Sequence, residues 1–226
     1  PYQVQVINAV DYYLRHEGKD NTICAIIQDD PYGEAGLEGL EFASEQLDFE
    51  IATVARYRVG DEDVTAQIGQ LRQANCDAVV FVGLPEDAGT VLGTAARAQF
   101  APRWIAQSPA WVAALGQSPL AKYLEQTLWV VAEGPEWGDE SVPGMAQMME
   151  HVEKFAPDQQ PDYYFTFGYT QAKLVSAILE KAVELGDLSR EGIIEAMNNL
   201  GTFQTDGLGG DYQYGPPEDR DPPRQS

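Results

Sequence analysis

The sequence predicts an α/β fold: a doubly wound parallel sheet followed by a mostly helical segment. Three observations predict it. Short apolar runs alternate with helical-period stretches up to about residue 132, the pattern of βαβ units with right-handed crossovers. The apolar runs are continuous, as in strands covered on both faces. Beyond Glu133 the runs stop, and Pro143 to Gly201 reads as nearly all helix.

Each element has a local reason. Val6, Val10, Tyr13 and Leu14 share a helical face, and Gly18 supplies a stop. Thr22 to Ile27 is a first buried strand. Asp30 then stands as N-cap with Pro31 at the first helical position, where a missing N–H costs nothing. That helix runs to about Leu47, with Leu37, Leu40 and Ala43 or Ser44 inward. Ile51 to Tyr57 is a second strand. Asp63 is expected to cap a third helix whose Val64, Ile68, Leu71 and Asn75 share a face. Asp77 to Val82 is a third strand, Ala88 to Gln99 a fourth helix, Arg103 to Gln107 a fourth strand and Thr127 to Ala132 a fifth. After a loop at Gly134 to Gly138, helices are expected over 143–155, 163–185 and 189–199, with Ser189 as a cap for the last. Tyr214 to Ser226 is rich in Pro, Asp and Arg and reads as a loop or tail. The opening in mid-helix, without Met or a signal segment, leads to the expectation that the sequence is a piece of something longer.

The charge excludes whole classes of partner. In 226 residues, 14 basic against 36 acidic side chains leave −22, which repels nucleic acid and anionic lipid. No apolar run is long enough to span a bilayer. With two cysteines and two scattered histidines, His16 and His151, no metal site is expected. Cys24 and Cys76 stand near the starts of the first and third strands. In a strand order 2-1-3-4 these are neighbours, which makes a disulfide geometrically feasible; two buried free thiols is the blander and preferred reading.

In parallel sheets ligands sit at the carboxyl ends of the strands. Those places hold Asp29, Asp30 and Tyr32, then Gly83, Leu84 and Pro85, then Gln107 to Trp111. Asp29 and Asp30 lack the further Asp and the Lys of a phosphoacceptor site, so Asp30 reads as a cap and Asp29 as a solvated loop acid. Gly33-Glu34-Ala35-Gly36 is no dinucleotide loop, no phosphate-binding GKS or GKT occurs, and there is no nucleophile elbow around Ser108. Glu86 and Asp87 read as acids complementing a helix start. The residues alone give mostly apolar walls at Tyr32, Leu84 and Trp111, with helix N-termini near Asp30 and Glu86 pointing N–H groups into the cleft. No cofactor is called for.

Ile26 to Gly33 followed by a helix, Asp63-Val64-Thr65-Ala66-Gln67, and Cys76 to Val80 together resemble the leucine-binding-protein-like branch of the type I periplasmic binding proteins, solute receptors of ABC importers. Phe167-Gly168-Tyr169-Thr170-Gln171-Ala172 resembles the late Tyr-Gly-Tyr-Asp-Ala helix start of that family, with Thr170 in place of Asp. Tyr214 to Arg220 resembles the stretch before its final strand. The resemblance implies a clamshell of two α/β lobes: residues 1–132 the second lobe, 133–200 the helical later part of the first, and 201–226 a return crossover and tail. It places Tyr32, with Asp30 and Gly33 beside it, in the ligand cleft. It puts Leu84 where the family has an aromatic side chain, and Ser108 to Ala110 where amino-acid-binding members carry a Glu. Trp111 is the nearest large side chain. The blander readings are packing roles for both Tyr32 and Trp111.

The implied function is an extracytoplasmic, non-enzymatic solute-binding protein, periplasmic or lipid-anchored. It would deliver an amino acid, amide or carboxylate to the membrane permease of an ABC importer. The alternatives are a ligand-sensing regulator of the amide-receptor type on the same fold and, further off, an α/β enzyme. Apolar surface near 163–185 is expected to be exposed unless it pairs with another chain, and a dimer through such a surface is allowed for.

Overall fold

The computed structural model describes residues 2–18, 20–220, 223–224 and 226. Two compact units meet in sequence at Ala132 and Glu133. In the tail, residues 221, 222 and 225 lie outside the described residues.

The first unit is a five-stranded parallel sheet in the order β2-β1-β3-β4-β5. Its strands are β1 (Ile23–Gln28), β2 (Ile51–Tyr57), β3 (Ala78–Val82), β4 (Arg103–Gln107) and β5 (Leu128–Val131). Successive side chains point to opposite faces. Ile23, Ala25 and Ile27 of β1 therefore join Ala78, Val80, Val82 and Ile105 on one face, under α1 (Tyr2–Glu17) and α2 (Pro31–Leu47). Cys24 and Ile26 join Tyr57, Val79, Phe81 and Trp104 on the other, under α3 (Thr65–Gln73) and α4 (Pro85–Arg97). Every residue of β1 and β3 is buried, which accounts for their unbroken apolar sequence.

Several expectations shift in detail. The cap of α3 is Val64; Asp63 lies one residue earlier, although its carboxylate still accepts the Thr65 N–H at 2.9 Å. Asn75 is not on the helix face, because α3 ends at Gln73 and Asn75 turns to φ +54°. The fourth helix begins at Pro85, three residues early, because Pro is well suited to a first helical position. Between β4 and β5 lie a 3₁₀ turn (Ser108–Ala110), α5 (Ala113–Gly116) and α6 (Ala121–Thr127), none of which was expected. Alpha6 is tied to β4 by Tyr123, whose hydroxyl receives Trp104 Nε1–H at 2.6 Å and donates to the Phe100 carbonyl at 2.7 Å.

The preferred reading of two free thiols is wrong. Cys24 and Cys76 form a disulfide, with Cα atoms 5.8 Å apart. The register sets β1 beside β3, so the start of one strand faces the turn leading into the other.

The second unit holds α7 (Pro143–Phe155), α8 (Tyr163–Leu185) and α9 (Arg190–Asn198). Asp162 caps α8 through the Phe165 N–H, and Gly186 ends it in the left-handed conformation at φ +78°. Ser189 caps α9 through the Gly192 N–H, as expected. Residues 201–213 are not a plain crossover: β6 (Thr202–Phe203) and β7 (Tyr212–Gln213) pair antiparallel, and the intervening loop drops Leu208 onto Met145 and Met148. Alpha8 presents Tyr164, Phe167, Val175, Leu179 and Val183 outward. Among the described residues no helix is long and apolar enough to cross a membrane, and no cluster of side chains suits a metal ion.

Candidate functional site

The carboxyl edge of the first unit's sheet gathers most of the expected residues. The ends of β1, β3 and β4 are hydrogen-bonded neighbours, so the residues just past them lie along one edge over roughly 10 Å. After β1 comes Asp30, whose Oδ1 accepts the Gly33 N–H at 2.9 Å while Oδ2 accepts from Gln28 Nε2 at 3.0 Å. Gly33 is obligatory here: a Cβ would overlap the Gln28 backbone, with the Gln28 carbonyl carbon 2.8 Å away. Tyr32 is half-buried, its ring edge-on to Tyr2 at 4.7 Å between centroids. After β3, Leu84 is half-buried and caps α4 with backbone only. After β4, Ser108 is buried and its Oγ accepts from Gln5 Nε2 at 3.1 Å. Trp111 lies further along. Its ring packs onto the core and approaches Gly116, so part of it is spent on its own unit.

Asp29 is exposed, as expected of a loop acid, but it is not only solvated. Arg56 lies 3.8 Å from it and also pairs with Glu34, whose carboxyl it holds below the usual carboxylate range. The expectation of free helix N–H groups facing the cleft needs correction at α2, where Asp30 itself takes the Gly33 N–H.

Sequence reasoning set Gln107 at this edge and read Asp87 as an acid at a helix start, but it missed that both are enclosed, and it did not single out Gln28, the last residue of β1, or Tyr57. All four are buried. Gln107 Nε2 donates to the Tyr2 carbonyl at 2.7 Å. Asp87 Oδ1 accepts the Gly60 N–H at 3.0 Å. The Tyr57 hydroxyl lies against Gly83, where a Cβ would collide with it and with the Phe81 ring. Burial pushes the Tyr57 hydroxyl far above its ordinary pKa, and the charge of Asp87 adds to the rise. A signal existed for the glutamines: each ends an apolar run at the point where a strand leaves the sheet.

A family model described as periplasmic binding protein matches residues 2–225. No curated protein matches the sequence. Among solved structures, a fatty acid ABC transporter substrate-binding protein from Thermomonospora curvata is similar, with a TM-score of 0.85 and 25% identity over 95% of this chain and 55% of that one. A possible leucine/isoleucine/valine-binding protein from Rhodopirellula baltica SH 1 gives a TM-score of 0.78 and 25% identity over 97% and 59%. A branched chain amino acid ABC transporter from Thermus thermophilus with bound valine gives 0.73 and 18% over 99% and 66%, a likeness of fold. The chain thus spans between 55% and 66% of the length of these structures.

Proposed function

This chain belongs to the periplasmic binding protein family, and we propose that it serves an ABC importer as an extracytoplasmic solute-binding protein, passing a small organic solute to the membrane permease. Residues 1–132 would be the second lobe of a clamshell, 133–200 the helical part of the first, and 201–226 the return segment. Closure on the solute would shift the population toward the shut state. The reading is one of binding without turnover.

The observation that carries it is the carboxyl edge of the parallel sheet, where Tyr32, Leu84 and Ser108 follow three neighbouring strands beside buried Gln28 and Gln107. Apolar walls with a few fixed polar groups are the usual make-up of a small-molecule site. The Cys24–Cys76 disulfide supports an oxidising, extracytoplasmic setting.

The test is calorimetry of the purified chain against amino acids, amides and short carboxylates, repeated with Tyr32→Ala and Trp111→Ala. The reading expects binding of at least one class, weakened tenfold or more by Tyr32→Ala, with no chemical conversion. A folded protein that binds none of them, or one that converts a bound compound, would refute it.

A further inference from the structure

Asp87 is the one charged residue among the described residues that is buried, at 3% exposure, in a chain with 36 acidic side chains. It is the third residue of α4, at the carboxyl edge of the sheet. Its Oδ1 is held by the Gly60 N–H, while Oδ2 has no hydrogen-bond partner among the described residues. No ion pair among those residues includes it. Tyr57 is 2% exposed; its hydroxyl has no hydrogen-bond partner among the described residues and lies against Gly83, on the turn that leads into α4.

The rest of this edge has the same polarity. The side-chain donors of the two strand-end glutamines are used, Gln28 Nε2 on Asp30 and Gln107 Nε2 on the Tyr2 carbonyl. Their acceptors, Gln28 Oε1 and Gln107 Oε1, have no partner among the described residues. A helix N-terminus ordinarily attracts an anion. Here the start of α2 already holds the chain's own Asp30, and α4, which has no side-chain cap, carries the buried Asp87 as its third residue. A buried carboxylate without a counter-charge is costly. An arriving donor offsets that cost, and an arriving anion adds to it.

We propose that this edge selects solutes by a hydrogen-bond donor group, an ammonium or an amide N–H, and rejects a carboxylate placed there, with Asp87 setting the preference. The inference rests on the solute-binding reading above. Asp87 is a positioning residue in this scheme. Its Oδ2 is shielded from solvent, so it acts through the field of a buried charge, which surrounding water screens poorly.

Hexylamine, hexanamide and hexanoate share one carbon chain and differ in the head group, so calorimetry of the full chain with these three isolates the effect. The measurement is made in 0.5 M salt, where exposed charges are largely screened. Hexylamine and hexanamide should bind at least tenfold tighter than hexanoate. Asp87→Asn should cut the amine-over-hexanoate ratio to threefold or less, whereas Glu125→Gln, which removes an exposed charge elsewhere, should leave it unchanged. Asp87→Ser, which also removes the charge, should reduce the ratio as well, and it carries the test if Asp87→Asn does not fold. Hexanoate binding as tightly as hexylamine, or a ratio unmoved in the folded variants, would overturn the inference and leave solute binding standing. Absence of binding by these three and by the wider solute panel would overturn both.

Discussion

Cys24 and Cys76 are 52 residues apart in sequence and covalently joined, linking the start of β1 to the turn entering β3. Both are buried, Cys24 fully and Cys76 to within 5%. Closing a loop of that length restricts the unfolded chain by roughly 4 kcal/mol in the chain-entropy account. Replacing both with Ser should therefore lower the urea midpoint markedly. A midpoint equal to that of the oxidised wild type would show that the crosslink contributes nothing.

Gly83 has no room for a side chain, because the Tyr57 hydroxyl and the Phe81 ring occupy the place, the ring carbons 2.6 Å from where a Cβ would stand. Gly83→Ala should destabilise by about 1–3 kcal/mol through overpacking. Part of that cost should vanish in a Tyr57→Phe background, since the hydroxyl is one of the two obstacles. A double-mutant cycle in denaturant reads the coupling; a coupling of zero would mean that the turn yields in another direction.

Glu34 pairs with Arg56 at the rim of the same edge, and this ion pair lowers the Glu34 pKa below its ordinary value of 4.5. The sign comes from proton linkage. The contribution is fully present above the unfolded value and is lost as pH falls through the lowered folded one. Because the pair is exposed, the effect should be small and salt-sensitive. Wild type and Glu34→Gln, unfolded in urea across pH 2 to 7, should differ by a constant amount at neutral pH and converge in acid. A gap that widens on acidification would contradict the assignment.

Leu208, 4% exposed, closes the small core formed with Met145 and Met148. Removing its branched end should cost about 2–5 kcal/mol. Leu208→Ala should therefore loosen α7, read as faster amide exchange in residues 143–155. Unchanged exchange there would place the stabilisation of α7 elsewhere.

The readable parts of this protein are those whose cause is local. A short unbroken run rich in β-branched residues such as Ala78 to Val82 reads as a strand covered on both sides, and Asp30-Pro31 carries its own instruction to begin a helix. Alpha7 and α8 have the bounds that periodicity gives. Two-residue strands such as β6 and β7 carry too little pattern to be read, and α5 has four residues and no buried face. At the candidate site, Tyr32 and Ser108 were legible because they come just after strands. Gln28, Gln107 and Tyr57 end strands; the glutamines were marked only by closing apolar runs, and whether such a last side chain is enclosed depends on the segments that pack over it.

The sequence by itself determined the five strands of the first unit, the long helices and the parallel sheet, because apolar periodicity and caps act over a few residues. The tertiary structure alone decided two matters. Whether Cys24 meets Cys76 depends on β1 lying beside β3 in one register. Whether Asp87 is a surface acid complementing a helix dipole or a buried charge depends on how the Gly60 loop and Tyr57 pack around it. Both are relations between segments distant in the chain, and burial and bonding of that kind arise only once those segments have come together.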